Sequence, residues 1–343
     1  MKVTIRCLLL AGVGAAILAT SAPIAQAQVL VNGAGATFPY PIYAKWFDEY
    51  HKTNRQVMIN YQSIGSGGGI RQLLAGTVDF GASDSPMTAG QLAKAKIRVL
   101  HFPAVLGAVV ATYNVPGVNR ELNFTSHALA GIYLGTIRKW NHPELVKANP
   151  GVKLPATDIV PVRRSDGSGT TFVWTDFLSK ASPEWKSKVG AGTSVSWPAG
   201  LGAKGNEGVA GLVKQMPNSI GYVELVYALQ NKMPYGRVQN GSGVFVKAEL
   251  KSVTAAAASV AASMPSDFRV SITNASGKDA YPVASFTWLL VPAKIGDTTK
   301  RKALTGFLRW MLSEGQKFAV PLGYAPLPKA VIAKEVKAIA EVQ

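Results

Sequence analysis

The sequence predicts an α/β protein in which two βα lobes are joined by two crossover strands. Strand-like and helix-like patterns alternate over residues 30–104 and again over 129–223, which is typical of βα units around a mostly parallel sheet. Two nearly unbroken apolar runs, Val105 to Tyr113 and Phe286 to Val291, have the composition of central buried strands. Two helical patterns follow the second run, so we expect the C-terminal part of the chain to return to the first lobe.

This order of elements also predicts the lobe boundaries. They are residues 28–104 and 285–343 for lobe 1, residues 113–280 for lobe 2, and residues 105–112 and 281–291 for the hinge crossovers. Residues 241–280 are rich in Ala, Ser, Gly and Lys, and we interpret them as a peripheral excursion of lobe 2. Because α/β proteins commonly bind ligands in a cleft, we expect the ligand between the lobes.

Each element is predicted from the spacing of its apolar residues, which recur every three or four positions in a helix and alternate in a strand. In chain order, lobe 1 is expected to contain a helix (Ile42, Tyr43, Trp46, Phe47, Tyr50), a strand (Val57, Ile59, Tyr61), a short helix (Ile70, Leu73, Leu74), a strand (Val78, Phe80, Ala82) and two C-terminal helices (Leu304, Phe307, Leu308, Met311, Leu312; Ile332, Val336, Ile339). In lobe 2 the βα patterns cover residues 129–140, 160–178 and 209–223.

The first 27 residues predict a cleaved signal peptide. A short basic start precedes an apolar stretch from Cys7 to Thr20, and Ala25 and Ala27 fit a small-x-small cleavage site before Gln28. The apolar stretch is short for a membrane span, and the alternative is an uncleaved N-terminal anchor. Cys7 is the only cysteine, so the mature chain is expected to have no disulfide and no lipid-anchor cysteine.

The chain is strongly basic, with a formal net charge of +17. Such a charge attracts anions in general. The Lys and Arg residues are scattered, however, and no nucleic-acid-binding module is recognisable, so we expect no nucleic-acid partner.

Three segments combine small residues with a strand-to-helix turn: residues 33–39, 64–70 and 164–171. Such turns leave backbone N–H groups open at the positive end of a helix dipole. Each segment also has a simpler interpretation when it is taken alone. Residues 33–39 could be an ordinary capped turn, and residues 64–70 a flexible loop. Residues 164–171 could be a capped helix with a surface ion pair between Arg164 and Asp166. Taken together, they predict a site for a compact anion, to which hydroxyl groups and Arg164 add further donors.

Asp84 follows the predicted strand that ends at Ala82 and is expected to face the same cleft. An ionised carboxylate only accepts hydrogen bonds, so it would repel an anion unless a proton lay between them. Phosphate carries such a proton near neutral pH and sulfate does not, so Asp84 predicts selectivity for phosphate. The alternative is that Asp84 only caps a turn.

Six sequence segments resemble the periplasmic phosphate-binding proteins of high-affinity phosphate ABC transporters, the PstS type. They are Gly-Ala-Gly-Ala-Thr-Phe-Pro (33–39), Ile-Gly-Ser (64–66), Val-Asp-Phe-Gly-Ala-Ser-Asp (78–84), Ile-Tyr-Leu-Gly-Thr-Ile-Arg-Lys-Trp (132–140), Arg-Arg-Ser-Asp-Gly-Ser-Gly-Thr-Thr (163–171) and Ser-Ile-Gly-Tyr-Val-Glu (219–224). The resemblance runs over essentially the whole mature chain, and it implies a two-lobed periplasmic-binding-protein fold of type II that closes on one phosphate.

The resemblance also implies a role for each site residue. The phosphate ligands would be Ala36, Thr37, Phe38, Ser66, Asp84, Arg164, Ser168, Gly169 and Thr170. Asp84 would accept the ligand's proton, Arg164 would pair with the ligand, and Asp166 would restrain Arg164. Gly67 departs from the pattern, because similar proteins can have a second serine there.

The function that these features predict is capture of inorganic phosphate by a monomeric periplasmic receptor. The receptor would deliver phosphate to the permease and ATPase complex of an ABC transporter, without a cofactor, a metal or enzymatic activity. A receptor for another tetrahedral oxyanion is an alternative, and arsenate carries a similar proton. A phosphatase is less favoured because the four histidines lack metal-ligand spacing and neither Ser66 nor Ser168 has an evident base. A structural or adhesive surface protein would not need three donor loops.

Overall fold

The computed structural model describes residues 28–261 and 263–343. The expected signal peptide, residues 1–27, lies outside the described residues. Over the part of the chain that is described, no helix combines the length and the apolar character that a membrane crossing requires.

Strands and helices alternate through most of the described residues, as the sequence predicts. The strands are β1 (Val29–Gly35), β2 (Val57–Ser63), β3 (Phe80–Ser83), β4 (Val99–Asn114), β5 (Asn123–Phe124), β6 (Val160–Arg164), β7 (Leu201–Ala203), β8 (Ser219–Glu224), β9 (Arg237–Gln239), β10 (Phe245–Val246) and β11 (Ala284–Pro292). The helices are α1 (Tyr40–Thr53), α2 (Ser66–Leu74), α3 (Ala89–Lys94), α4 (Ser126–Leu134), α5 (Pro143–Ala148), α6 (Gly169–Ala181), α7 (Pro183–Lys188), α8 (Gly205–Gln215), α9 (Leu225–Gln230), α10 (Leu250–Ala261), α11 (Thr298–Leu312) and α12 (Lys329–Ala338).

The main sheet has eight strands in the order β2-β1-β3-β11-β4-β8-β6-β7. Pairing is parallel within β2-β1-β3 and within β8-β6-β7. We call the part of the molecule built on the first group the first lobe and the part built on the second group the second lobe. A small sheet of β10, β9 and β5 completes the described strands. The prediction of a two-lobed α/β fold is confirmed.

The two apolar runs form the strands between the lobes, β4 and β11, which pair antiparallel. The first part of β4 pairs with β11, and residues Val109 to Asn114 pair with β8 of the second lobe. β4 is longer than its apolar run suggested, because the strand already begins at Val99. Nearly every residue of both strands is buried, which explains the absence of polar alternation.

The interpretation of residues 241–280 as a peripheral excursion needs correction. Helix α10 packs on β4 and β11, and Trp288 Nε1 donates a hydrogen bond to the carbonyl oxygen of Phe268 at 2.9 Å. Arg269 reaches the first lobe, where it donates to the carbonyl oxygen of Met87 at 3.0 Å. The composition misled the prediction because small Ala and Ser side chains allow close packing against strands as well as surface exposure.

Both C-terminal helices form as predicted, and one predicted core residue of the second helix is wrong. Val336 is exposed, whereas Val331, Glu335 and Ile339 are buried. Ile339 is buried as predicted and Ile332 packs against the core, so the helical period was predicted correctly and only the position of Val336 was wrong.

The topology brings several loops together. β1, β2 and β3 run parallel, and so do β6 and β7, so the carboxyl ends within each group lie at one edge of the sheet. Helices α1, α2, α6 and α8 each begin shortly after one of these strands. The N-termini of four helices therefore surround the cleft between the lobes, which is where open α/β sheets bind their ligands.

Candidate functional site

The structure brings all the sequence-predicted site residues to the cleft edge, and the two lobes touch there. Ser66 Oγ, from the first lobe, accepts a hydrogen bond from the backbone N–H of Gly169 at 3.0 Å, and Arg164 Nη1 donates to Thr37 Oγ1 at 3.3 Å. The residues that are buried in this arrangement are Ala36, Thr37, Phe38, Ser66, Asp84, Arg164, Ser168, Gly169 and Thr170. The described conformation is thus a closed one.

The first loop is held by its carbonyl groups and by the N–H of Ala36, which donates to the carbonyl oxygen of Ala82 at 2.9 Å, and the N–H groups of Thr37 and Phe38 are left available. Gly35 has a φ of +149°, and a side chain there would collide with the backbone of Ala82. The carbonyl oxygen of Thr37 accepts from the Tyr227 hydroxyl at 2.5 Å, and that of Phe38 accepts from the Tyr324 hydroxyl at 2.7 Å. Among the described residues no hydrogen-bond acceptor faces the N–H of Thr37 or Phe38.

The second loop approaches the second lobe backbone to backbone. Gly67 donates its N–H to the carbonyl oxygen of Gly167 at 2.8 Å, and a Cβ on Gly67 would lie 3.1 Å from Gly167 Cα. Glycine at position 67, which departs from the pattern of similar proteins, therefore permits a close contact between lobes. Ser66 Oγ accepts from the N–H of Asp84 at 3.2 Å as well as from Gly169, so its own hydrogen is available to donate, and the Asp84 carboxylate is one acceptor within its reach.

Arg164 and Asp166 form a bidentate pair, and Arg164 is only 3% exposed. The alternative of a surface ion pair is therefore wrong. Asp166 Oδ1 also accepts from the N–H of Gly205 at 3.1 Å. Burial alone would raise the pKa of Asp166, but the hydrogen bond and charge of Arg164 hold it below its usual value. Arg164 Nη1 lies between the two lobes, within reach of Thr37 Oγ1 and Thr170 Oγ1.

Asp84 is 1% exposed and lies directly after β3. Its Oδ1 accepts from the Thr287 hydroxyl on β11 at 2.8 Å. Burial raises the pKa of Asp84 to about 7, and the hydrogen bonds of Thr287 and Ser66 and the charge of Arg164 oppose the increase. The turn at this position is capped by Ser83, whose Oγ accepts from the N–H of Ser85 at 3.1 Å. No backbone N–H of the described residues donates to the Asp84 carboxylate, which disfavours a turn-capping role.

The third loop begins helix α6. Ser168 caps the helix by accepting from the N–H of Thr171 at 3.0 Å. The Tyr222 hydroxyl holds this loop to the core of the second lobe, because it accepts from the N–H of Arg164 at 3.1 Å and lies 2.7 Å from Thr171 Oγ1. Tyr222 itself stacks on Trp174 with ring centroids 5.3 Å apart.

Sequence reasoning missed a fourth segment, which contains Asn206. This residue is the second of α8, is fully buried, and donates from Nδ2 to Thr37 Oγ1 at 2.8 Å and to Thr170 Oγ1 at 3.1 Å. The signal was present, since residues 202–206 (Gly-Ala-Lys-Gly-Asn) follow a strand and open a helix as the other three segments do. Thr287 was also missed, because nothing in an apolar strand marks one threonine as a partner of Asp84.

The raised pKa of Asp84 predicts how the stability of the ligand-free protein changes with pH. Its folded-state pKa of about 7 exceeds the ordinary value of 3.8, so the folded state binds more protons between these values, and stability falls as pH rises through this range. Asp84→Asn removes this dependence. In urea unfolding, the stability of the variant relative to the original protein should rise by about 2–4 kcal/mol from pH 4 to pH 8. A constant difference over this range would contradict the raised pKa.

Among the described residues no group of three His, Cys, Asp or Glu side chains is arranged to hold a metal ion. The buried His101 lies away from the cleft edge, where its Nε2 accepts from the N–H of Met87 at 3.1 Å. Burial is the main cause that lowers the pKa of His101 to about 4. The hydrogen-bonding groups of the site residues named above are hydroxyls, backbone N–H groups, the Arg164 guanidinium, the Asn206 amide and the carboxylates of Asp84 and Asp166.

Comparisons with known proteins agree with this arrangement. The model of the PBP superfamily domain matches residues 20–315. The chain is 47% identical to the phosphate-binding protein PstS of Xylella fastidiosa over 91% of this chain and 85% of that protein. It is 46% identical to PstS of Pasteurella multocida over 93% and 92% of the two chains. In fold it resembles a putative phosphate ABC transporter substrate-binding protein from Clostridium perfringens with bound phosphate, with a TM-score of 0.64, 17% identity, and coverage of 88% and 100%.

Proposed function

Because the chain belongs to the PstS family of phosphate-binding proteins, we propose that it captures inorganic phosphate between its lobes and delivers it to an ABC-transporter permease. The observation that carries the proposal is a buried set of donors from both lobes around the Asp84 carboxylate, which forms no salt bridge with any of the described residues. Such a set suits an anion that still carries a proton.

In this proposal the ligand's unprotonated oxygens accept hydrogen bonds. Donors come from the N–H groups of Thr37 and Phe38, from the N-terminal turns of α2 and α6, and from the hydroxyls of Ser66, Ser168 and Thr170. Arg164 supplies positive charge, while its pair with Asp166 keeps the guanidinium in one orientation. Ala36 and Gly169 contribute backbone atoms where the loops of the two lobes come closest together.

Asp84 accepts the ligand's proton in this proposal. Both forms of phosphate that are populated near neutral pH carry at least one P–OH group, which can donate to the carboxylate. Sulfate carries none, so its oxygens would face the buried carboxylate without a hydrogen between them. Arsenate has the same proton as phosphate, and this selection does not discriminate against it.

Like its relatives, the chain is a binding protein and not an enzyme. The contacts of the two candidate nucleophiles agree with this. Ser66 Oγ and Ser168 Oγ accept hydrogen bonds from backbone N–H groups, and no histidine of the described residues lies within hydrogen-bonding distance of either.

The same proposal covers the setting in which the protein works. We infer that residues 1–27 direct export to the periplasm and are removed, and that the mature protein acts as a monomer. We infer that its partners are the permease and ATPase of a phosphate transporter. The proposed moving parts are residues 28–104 with 285–343 and residues 113–280, with hinges at 105–112 and 281–291. Because two strands pass between the lobes, opening would need only small backbone changes where they cross.

A phosphate titration of ligand-stripped protein tests the proposal. Binding is measured by calorimetry or by the fluorescence of the seven tryptophans. We expect one phosphate per chain, with binding undisturbed by excess sulfate. Failure of folded protein to bind phosphate would overturn the proposal. Turnover of a chromogenic phosphate ester, measured in parallel, would instead favour the hydrolase alternative.

Closure itself can be tested at Gly169. A Cβ there would lie 2.6 Å from Asp84 Oδ2 and even closer to Ser66 Oγ, both on the opposite lobe. Overpacking of this kind costs about 1–3 kcal/mol, so Gly169→Ala should weaken phosphate binding by about 10- to 100-fold, measured by calorimetry. Gly169→Ala can relieve the clash by parting the lobes when no ligand is bound, so its unfolding free energy should fall by less than its binding free energy.

A matched control is Gly211→Ala on α8, where a Cβ would have no neighbour within 4 Å. Alanine is the better helix former, so this variant should gain about 0.5–1 kcal/mol of stability and keep its phosphate affinity. Unchanged affinity in Gly169→Ala would show that binding does not require the contact between the lobes.

A further inference from the structure

We propose that Asn206 is a positioning residue that fixes the hydroxyl hydrogens of Thr37 and Thr170 toward the ligand. This inference rests on the proposed phosphate-binding function. It concerns a residue that touches both lobes at once and lies outside the three donor segments.

The orientation of the Asn206 amide is determined by its surroundings. Asn206 Oδ1 accepts from the backbone N–H of Glu224 at 2.9 Å. An N–H group can only donate, so the amide oxygen faces Glu224 and the NH₂ group must face the threonines. The start of α8 is held in place as well, because the preceding residue, Gly205, donates its N–H to Asp166.

Every neighbour of the Thr37 hydroxyl that forms a hydrogen bond with it is a donor. Thr37 Oγ1 accepts from Asn206 Nδ2 at 2.8 Å, from the Asn206 backbone N–H at 3.2 Å and from Arg164 Nη1 at 3.3 Å. Amide N–H and guanidinium groups carry no accepting lone pair. The single hydrogen of this hydroxyl must therefore point elsewhere, and no acceptor for it exists among the described residues.

Thr170 is in the same position on the opposite side of the cleft. Its Oγ1 accepts from Asn206 Nδ2 at 3.1 Å and from Arg164 Nη1 at 3.4 Å. Both hydroxyls are buried, so water does not readily take their hydrogens either. An anion in the cleft is the acceptor that would satisfy both.

The consequence concerns where a ligand can carry its proton. Two hydroxyls fixed as donors donate to unprotonated ligand oxygens, whereas an ionised Asp84 can only accept. Asn206 therefore works together with Asp84 to assign one protonated oxygen to the carboxylate and the other oxygens to donors. Because Asn206 reaches Thr37 across the cleft, this assignment is complete only when the lobes close.

A double-mutant cycle on phosphate affinity tests the proposal. Asn206→Ala removes the shortest hydrogen bond to each hydroxyl and leaves only the longer ones, so it should weaken phosphate binding about tenfold. The double variant Thr37→Val/Thr170→Val lacks both hydroxyls that Asn206 contacts. Adding Asn206→Ala to this variant should therefore change the affinity less than about twofold. A tenfold loss in that background as well would overturn the proposal, because Asn206 would then act through packing or lobe contact alone.

Two further variants control for folding. Asn149 is also a buried asparagine of the second lobe, where it donates to the carbonyl oxygens of Asn123 and Leu145. Asn149→Ala should lower stability and leave phosphate affinity unchanged, which separates a general loss of structure from a loss at the site. If Asn206→Ala does not fold, Asn206→Ser takes its place in the cycle, since serine is too short to reach both threonines. If the original protein fails to bind phosphate, both the proposed function and this inference are wrong. If the protein binds phosphate but the effects of Asn206→Ala and of the threonine substitutions on affinity are additive, only this inference is wrong.

Discussion

Replacing Arg164 by methionine is expected to weaken phosphate binding by about a thousandfold or more, equivalent to roughly 4 kcal/mol. Among the described residues Arg164 is the one buried cation at the cleft edge, and each hydrogen bond to a charged group contributes about 1.5–3 kcal/mol. The substitution also leaves Asp166 without its partner, so a second carboxylate near the ligand loses its compensation. Calorimetric titration with phosphate measures the loss.

Arg163→Met is the matched control for this experiment. Arg163 is the neighbouring residue on β6, and successive side chains of a strand point to opposite faces. The control removes the same charge from almost the same place without touching the ligand, and phosphate affinity should stay within about threefold of the original. A loss of less than tenfold in Arg164→Met would mean that Arg164 mainly holds the third loop in shape.

The donor loops could be predicted from the sequence because their signal is local. A glycine- and serine-rich turn between a strand and a helix is visible within seven residues, and the parallel topology then brings such turns to one edge. Asn206 carried a weaker form of the same signal, but its partners Thr37 and Thr170 are 169 and 36 residues away. The contact of Asn206 with Thr37 forms only when the two lobes meet, so no local pattern encodes it.

The central strands show a second limit of sequence reasoning. Apolar composition identified β4 and β11 as buried but did not indicate their antiparallel pairing, which depends on where each strand enters the sheet. The antiparallel pairing of β11 with β3 on its other side places Thr287 beside Asp84, although the two residues are 203 positions apart. The only signal for this contact in the sequence of the strand was a polar residue among apolar ones. Which group that residue meets depends on the register between neighbouring strands.

Asp84→Asn is expected to change the selectivity of the site more than its affinity for phosphate. The protein should bind sulfate about 10⁴-fold more weakly than phosphate, because the site leaves a buried carboxylate opposed to an oxygen. In the variant, an amide takes the place of that carboxylate, and its NH₂ group can donate to sulfate while its oxygen accepts from Thr287. Phosphate loses one bond to a charged group, which corresponds to about 10- to 100-fold. Sulfate should gain at least as much as phosphate loses.

Competition titrations with both anions measure this ratio directly, and Asp79→Asn is the matched control. Asp79 precedes β3 on the side away from the cleft, where its carboxylate accepts from the N–H of Asn32 at 2.7 Å and from Lys300 Nζ at 3.0 Å. Removing its charge should leave the ratio of the two affinities unchanged. An equal loss for phosphate and sulfate in Asp84→Asn would make Asp84 a structural residue. A selective gain for sulfate, seen only in Asp84→Asn, would instead mean that one proton on the ligand distinguishes two anions of nearly the same size and shape.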